Sequence, residues 1–201
     1  MKFLIVPGHG GVDKNGNYHV LKPGSKQAYV NGRWIYEGEH NRYIADEILT
    51  QAKVAGLDVI NVVPEVEDIP LKERVRRVNE IVSETNEKVF LFELHLNAFN
   101  GKVEGSEVFT TRLDNFSDVI ATMWWNNMLK RFPERKTRPD YSDGDPDKEV
   151  DYFLIKNMRC FGCLIEFFFF DNPIEVDRFC NSWGYHQWAA TVIDTMKQLN
   201  E

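Results

Sequence analysis

The sequence "KVFLFELHLNA", residues 88–98, indicates the fold class most clearly. It opens as an apolar run and closes on polar residues, among them Glu93 and His95. A short run of this kind is typical of a strand that is buried on both faces, as in a parallel sheet covered by helices. Two further runs, "FLIV" at 3–6 and "CLIEFFFF" at 163–170, predict strands of the same kind.

Helical patterns alternate with these strands along the chain. Further strands are predicted at 58–63 and 105–111, and helices at 40–55, 71–85, 115–131 and 174–198. Such alternation predicts the α/β class, here a single-domain mixed, mostly parallel β-sheet flanked by helices on both faces. The last helix is expected to bury Trp183 and Trp188, whereas 12–36 and 130–149 are predicted to be long loops.

Composition limits the possible partners. The 201 residues suit one domain, and 43% hydrophobic residues are enough for a core. A net charge of -7 gives no basic field for nucleic acid, and we expect no nucleic-acid partner. The sequence contains no run of eighteen apolar residues, so it predicts no membrane span. The N-terminal apolar run is too short for a secretory signal, so we expect synthesis in the cytoplasm. The three cysteines, two of them in "CFGC", are expected to be buried thiols.

Polar groups stand where three of the strands end. His9 follows the first strand within "PGHGG", where Gly8, Gly10 and Gly11 are expected to let the chain turn sharply. His95 closes the central strand, Glu166 lies in the last one, and "YEGEHN" begins the first helix. In open α/β sheets, functional sites gather at such strand ends.

These residue types suggest a metal centre. Two histidines and one carboxylate bind zinc while leaving a position for water, and a second carboxylate can act as general base and then as acid. His9, Glu37, His95 and Glu166 would supply that set. They are far apart in the sequence, so only the fold can bring them together.

At this point five blocks together resemble the zinc-dependent N-acetylmuramoyl-L-alanine amidases of the amidase type 3 family, including those of phage endolysins. The blocks occur in the family's order over nearly the whole chain: "PGHGG" (7–11), "EGEHNRYIADEI" (37–48), "LKERVRRVNEI" (71–81), "ELHLNAFNGKVEGSEVF" (93–109) and "CLIEFFFFDNP" (163–173). In the third block, the family's arginine matches Arg74 or Arg77, followed by Asn79. Four phenylalanines after Glu166 depart from the family pattern and should raise the pKa of this carboxyl group.

The resemblance implies a role for each matching residue. His9, Glu37 and His95 would hold one Zn²⁺ per chain, and Glu166 would activate water and protonate the departing amine. The substrate would be bacterial peptidoglycan, cut at the amide between N-acetylmuramic acid and L-alanine. Asn97 matches a family asparagine and is a candidate for substrate binding.

Several assignments stay open at this stage. Glu39 is an alternative to Glu37 as ligand, although the register of the helix favours Glu37. Glu93 shares the face of His95 and is a candidate to fix the tautomer of that histidine. Trp34, in the first long loop, is a candidate for stacking on sugar or peptide.

Other polar residues are given ordinary roles. His19 and His40 are expected to be surface histidines. Asp143, Asp145 and Asp147 alternate as in a calcium loop, but Gly144 is not at the sixth position and Leu154 stands at the twelfth. These three aspartates are therefore predicted to be turn residues.

The biological role is also an expectation. Residues 1–201 would form one catalytic domain without a separate cell-wall-binding domain. This organisation, without a signal, suggests a phage or prophage endolysin that reaches the wall after release through a separate holin-like protein. Two alternatives are a non-catalytic wall-binding or regulatory module and a zinc peptidase that cuts within the stem peptide.

Overall fold

The computed structural model describes residues 1–11 and 26–201, which contain eight strands and six helices. The strands are β1 Lys2–Pro7, β2 Gln27–Val30, β3 Arg33–Tyr36, β4 Asp58–Asn61, β5 Val89–Asn97, β6 Glu107–Thr110, β7 Lys148–Glu149 and β8 Phe161–Phe169. The helices are α1 Glu37–Ala55, α2 Leu71–Ser83, α3 Phe116–Arg131, α4 Phe153–Asn157, α5 Pro173–Phe179 and α6 Ser182–Asn200.

Six of the strands form one sheet in the order β4-β1-β5-β8-β6-β7. Strand β1 pairs in parallel with β4 and β5, and β5 pairs in parallel with β8. Only the β6–β8 pair is antiparallel among the pairs of this described sheet. This arrangement confirms the predicted mixed, mostly parallel sheet and places the ends of β1, β5 and β8 side by side.

Apolar side chains cover both faces of the sheet because successive residues of a strand point in opposite directions. On β1, Phe3 and Ile5 enter the larger core, which also contains residues of α1, α3 and α6. Leu4 and Val6 enter the smaller core, which α2 and α4 help to cover. The helices therefore flank both faces, as the strand sequences predicted.

The predicted long loops contain elements that the periodicity did not reveal. In the first, β2 and β3 form a separate antiparallel hairpin, whereas residues 12–25, including His19, lie outside the described residues. The short strand β7 lies in the second. Both β2–β3 and β7 are too short to show a clear alternation.

The predicted closing helix is two helices, α5 and α6. The break occurs because Asn181 caps α6, where its side chain accepts a hydrogen bond from the Gly184 amide. The prediction for Trp183 was wrong: it is 52% exposed, whereas Trp188 is fully buried. Both tryptophans lie within α6, where a separation of five residues turns their side chains about 140° apart, so that one faces the core and the other faces solvent.

No helix of the described residues is long and apolar enough to cross a bilayer. Cys160, Cys163 and Cys180 are all free thiols, two of them buried. Burial raises the pKa of Cys160 and Cys180 to about 12, so these thiols are protonated and unreactive near neutral pH.

Candidate metal centre

Four polar side chains meet at the carboxyl end of the parallel sheet. His9 follows β1, His95 lies near the end of β5, and Glu37 is the first residue of α1. The potential ligand atoms of His9, Glu37 and His95 all lie within 4.8 Å of one another. Glu166 on β8 stands opposite His95 in the strand register. The structure therefore brings together the four residues that the sequence singled out.

Glu37 is the centre of this cluster. Its Oε1 lies 3.0 Å from His95 Nδ1 and 3.5 Å from His9 Nε2, and its side chain is fully buried. The two imidazole rings meet edge to face with their centroids 4.9 Å apart. Lys26 Nζ is 3.5 Å from Glu37 Oε2, too far for a hydrogen bond of good geometry.

Burial and neighbouring charges shift the pKa values of His9, His95 and Glu37 by different amounts. Burial lowers the pKa of His9 to about 3, so this imidazole is neutral. Burial also acts to lower the pKa of His95, but hydrogen bonds to Glu37 and Glu93 outweigh it and raise the value to about 10. Burial would raise the pKa of Glu37, yet His9 and His95 bring it down to about 2. A proton on His95 thus balances the negative charge, as a cation would.

Glu166 is the other carboxyl group of the site. Its Oε2 is buried and has no hydrogen-bond partner among the described residues. Burial raises the pKa of this group to about 8, and the charge of Glu37 adds to the effect, although His95 opposes it. A carboxyl group with a pKa near neutrality is suited to accept a proton in one step and return it in the next.

The turn after β1 differs from the expected glycine turn. His9 itself has the left-handed backbone conformation, with φ at +56°, which non-glycine residues rarely adopt. Gly8 and Gly10 serve close packing instead: a Cβ at Gly8 would lie 2.3 Å from the His95 ring, and one at Gly10 would lie 2.1 Å from the backbone of Asp68. The glycines therefore allow His95 and the chain at 68 to approach the turn.

Two arginines that the sequence did not single out for this role hold the turn in place. Arg74 is buried, and its guanidinium donates to the carbonyls of Pro7 and Ile69 and to Asp68. Arg42 donates to the carbonyls of His9, Gly38 and Glu65. Both arginines lie in the quoted family blocks, but sequence periodicity does not show which arginine points inward.

The structure also gives the positions of two residues whose roles were open, Glu39 and Glu93, and of His40. Glu39 accepts a hydrogen bond from the Tyr43 hydroxyl group, outside the cluster that contains Glu37. Glu93 Oε1 lies 3.3 Å from His95 Nε2. The expectation of a surface His40 was wrong: it is 6% exposed and its Nδ1 lies 2.6 Å from the Tyr185 hydroxyl oxygen.

The structure also separates the two arginines that could match the family's arginine, Arg74 and Arg77. Arg74 reaches the turn at the site, whereas Arg77 forms ion pairs with Glu65 and Glu73 and is more exposed. Asn79 bonds the backbone around 157–159 and lies away from the cluster.

The candidate substrate residues lie at the edge of the site and on the hairpin. Asn97 Nδ2 donates to Glu107 Oε2 at 2.6 Å, and its Oδ1 accepts from the Ala98 amide. Trp34, on β3, is 50% exposed. Its ring stands edge to face with Tyr29 and stacks beside Tyr36, so the hairpin presents a row of aromatic rings.

The comparisons with known proteins agree with this architecture. The sequence profile of the family N-acetylmuramoyl-L-alanine amidase matches residues 3–198. No curated protein sequence matches the chain. Among solved structures, an N-acetylmuramoyl-L-alanine amidase from Clostridium difficile 630 has a TM-score of 0.76 at 20% identity, over 99% of this chain and 96% of that one.

Two other solved structures are similar over almost their full lengths. The amidase AmiC2 of Nostoc punctiforme has a TM-score of 0.76 at 19% identity, covering 100% of this chain and 98% of its own. The catalytic domain of the CD27L endolysin, which targets Clostridia difficile, has a TM-score of 0.69 at 23% identity, covering 98% and 97%.

Fold and profile together define an α/β amidase domain. The chain belongs to the N-acetylmuramoyl-L-alanine amidase family. Membership supports hydrolysis of an amide in peptidoglycan as the reaction class.

Proposed function

We propose that this chain is a zinc-dependent N-acetylmuramoyl-L-alanine amidase that cuts the amide between N-acetylmuramic acid and L-alanine in bacterial peptidoglycan. The observation that carries the proposal is the convergence of His9, Glu37 and His95 within 4.8 Å, with Glu166 on the neighbouring strand. Family membership supplies the substrate class.

The chemistry of the cluster fits a zinc ion. Two imidazole nitrogens and one carboxylate are a common donor set for catalytic zinc. The buried atoms His9 Nε2 and Glu37 Oε2 have no hydrogen-bond partner among the described residues. A bound metal ion would be a partner for both atoms. When bound by such a set, zinc lowers the pKa of a bound water molecule towards neutrality and polarises a carbonyl group.

Glu166 is proposed to move the proton. Its buried Oε2 would take a proton from the attacking water and deliver it to the amine that leaves as the amide breaks. Glu93 is proposed to orient His95, since its contact with Nε2 leaves Nδ1 directed at Glu37.

Two residues are proposed to contact the substrate. Asn97 retains one amide hydrogen and one lone pair beyond its bonds to Glu107 and Ala98, so it can still bind a peptide group. Trp34 offers an exposed ring for stacking on a sugar face.

The proposed setting is a phage or prophage endolysin, made in the host cytoplasm and released to the wall through a separate holin-like protein. Its support is the likeness to an endolysin catalytic domain. The reaction itself does not depend on this setting.

The test combines metal analysis with product analysis on purified peptidoglycan. Wild-type protein should bind one zinc and release peptides with new L-alanine amino termini, chelation should stop release, and zinc should restore it. Glu37→Gln should weaken zinc binding, whereas its neighbour Glu39→Gln should not. Wall binding without any release would indicate the non-catalytic module, and other amino termini would indicate a peptidase that cuts the stem peptide.

A further inference from the structure

A small cleft lies beside the candidate metal centre, at the carboxyl end of the parallel strands. It has a volume of about 180 Å³, and the residues that line it include Asn97, Glu107, Arg138 and Phe169. Asn97 is the last residue of β5, and Glu107 on β6 stands opposite Glu166 in the antiparallel register of β6 and β8. The cleft therefore adjoins the carboxyl group that is proposed to deliver a proton to the departing amine.

Arg138 is held in place at this cleft. Its backbone amide donates to the carbonyl of Ser106, and its side chain passes Gly105, where a Cβ would lie 3.0 Å from Arg138 Cγ. Its guanidinium lies 5.7 Å from the centre of the Phe169 ring, and its Nε donates to Glu107 Oε1 at 2.7 Å. Nη1 and Nη2 of Arg138 have no hydrogen-bond partner among the described residues. The side chain is 43% exposed, so these two groups are accessible to a ligand.

The cleft also has an excess of positive charge. Glu107 Oε1 accepts from Arg138 Nε at 2.7 Å and from Lys148 Nζ at 2.6 Å, so one carboxylate faces two cations. Of the described residues that line the cleft, only Glu107 is acidic. A guanidinium with two free amino groups binds a carboxylate through two parallel hydrogen bonds. Charge and geometry therefore both favour a carboxylate as the ligand of Arg138.

The strand order indicates which part of the substrate lies at this cleft. The sheet runs β1-β5-β8-β6, with His9 after β1, His95 on β5 and Glu166 on β8, and the cleft reaches β6 beyond them. Because Glu166 is proposed to protonate the amine, the peptide that begins at this amine would extend from β8 towards β6. Arg138 would therefore meet the peptide side of the cleaved amide rather than the sugar side.

Distance limits which carboxylate of the peptide can reach Arg138. Neighbouring strands are about 4.8 Å apart, and consecutive Cα atoms of a peptide are about 3.8 Å apart. In peptidoglycan, the residue after L-alanine is a D-glutamyl residue whose α-carboxyl group is free in some walls and amidated in others. This group is one residue from the cleaved amide, which matches a step of one strand, whereas the terminal carboxyl group of the peptide lies farther along.

We propose that Arg138 binds the free α-carboxylate of the residue that follows L-alanine, so that this chain selects peptidoglycan with the free carboxylate over peptidoglycan in which it is amidated. Asn97, which also lines the cleft, would bind the adjoining peptide group. Arg138 would determine specificity and take no part in proton transfer. This proposal rests on the proposed amidase function, because it concerns the substrate of the same site.

The experiment compares three synthetic N-acetylmuramoyl tripeptides. The first has a free α-carboxylate on its second residue and an amide at its C-terminus. The second is amidated at both positions, and the third is amidated only at the second residue. We expect zinc-loaded wild type to cleave the first peptide with a KM at least about tenfold lower than that of the second, as for hydrogen bonds to a charged group.

Substitutions of Arg138 test whether this residue causes the preference. Arg138→Gln should reduce the preference to less than about threefold, mainly through KM, because the fork and its charge are lost. Lys148 still pairs with Glu107 in this variant, so we expect it to fold. Arg138→Lys keeps the charge without the fork and should lose part of the preference. The matched control is Arg159→Gln, which removes the same charge from an exposed position just before β8, at the opposite end of that strand, and should keep the wild-type preference.

A calorimetric titration separates failure of this proposal from failure of the amidase function. The same peptides are titrated into zinc-loaded Glu166→Gln protein and into Glu166→Gln/Arg138→Gln, so that binding is measured without cleavage. Tighter binding of the first peptide that requires Arg138 supports the carboxylate site even if wild type cleaves none of the peptides.

Four results would overturn the proposal. The first is equal treatment of the first two peptides by wild type, and the second is an unchanged preference in Arg138→Gln. The third is an effect of Arg138→Gln on the third peptide alone, which would place the terminal carboxylate at Arg138. The fourth is absence of binding of all three peptides at about 10⁻² M, roughly tenfold above a weak dissociation constant of 1 mM.

Discussion

Replacing Gly8 by alanine should displace the His95 imidazole. The added Cβ would lie 2.3 Å from Cε1, 2.5 Å from Nε2 and 2.6 Å from Nδ1 of that ring, whereas ordinary contacts begin near 3.4 Å. The ring therefore has to retreat by about 1 Å. Glu37 and Glu93 hold it by both nitrogens at 3.0 and 3.3 Å, so retreat also lengthens or breaks these contacts.

The size of the effect follows from that displacement. Loss of the contacts that orient a metal ligand typically lowers metal affinity by between about tenfold and a hundredfold. A 1 Å error at a reacting group costs about a hundredfold in rate, or about 2.8 kcal/mol. We expect Gly8→Ala to weaken zinc binding by about tenfold to a hundredfold and, with zinc saturating, to lower peptidoglycan cleavage by about a hundredfold.

Zinc affinity is measured by competition with a chromophoric chelator, and cleavage by the release of soluble peptides. Gly56→Ala is the control, because Gly56 has φ at +68° with open space around it. It should lower the free energy of unfolding by about 1 kcal/mol without changing zinc affinity. A folded Gly8→Ala protein with wild-type zinc affinity and cleavage would refute the packing argument.

Three further changes test other parts of the structure. Glu93→Gln should weaken zinc binding about tenfold, because it replaces the charged acceptor at His95 Nε2, and unchanged affinity in chelator competition would contradict this role. Burial lowers the pKa of His40 to about 4 from an ordinary 6.5, so His40 stabilises the fold above pH 6.5 and this contribution is lost as pH falls towards 4. Between these two pH values, the free energy of unfolding measured in urea should therefore fall by about 3 kcal/mol less for His40→Gln than for wild type. An equal fall in both proteins would refute this role of His40. Arg135→Met should cost about 3–5 kcal/mol of unfolding free energy, because it leaves buried Glu175 without its cation, and a cost below about 1 kcal/mol would show that water reaches this pair.

The sequence predicted the parts of the fold that local pattern controls. The apolar runs of β1, β5 and β8 identified the parallel sheet, because only strands covered on both faces are apolar throughout. The ends of such strands share one edge, so polar residues there could be expected to meet. His9, His95 and Glu166 do meet, and the start of α1 adds Glu37.

What the sequence did not reveal depends on contacts between distant segments. The inward position of Arg74 follows from the carbonyl of Pro7, far from it in the chain. The buried position of His40 follows from its contact with Tyr185. The left-handed conformation of His9 is accompanied by such a contact, since Arg42, far along the chain, donates a hydrogen bond to the His9 carbonyl.

Glu166 is proposed to move the proton in a zinc-dependent amide cleavage. Counting new L-alanine amino termini in peptidoglycan digests tests this role. Zinc-loaded wild type and Glu166→Gln are compared after both are shown to bind one zinc per chain. We expect many new termini with wild type and at least about a hundredfold fewer with Glu166→Gln. A Glu166→Gln protein that releases L-alanine termini at the wild-type rate, or a wild type that releases none, would contradict it.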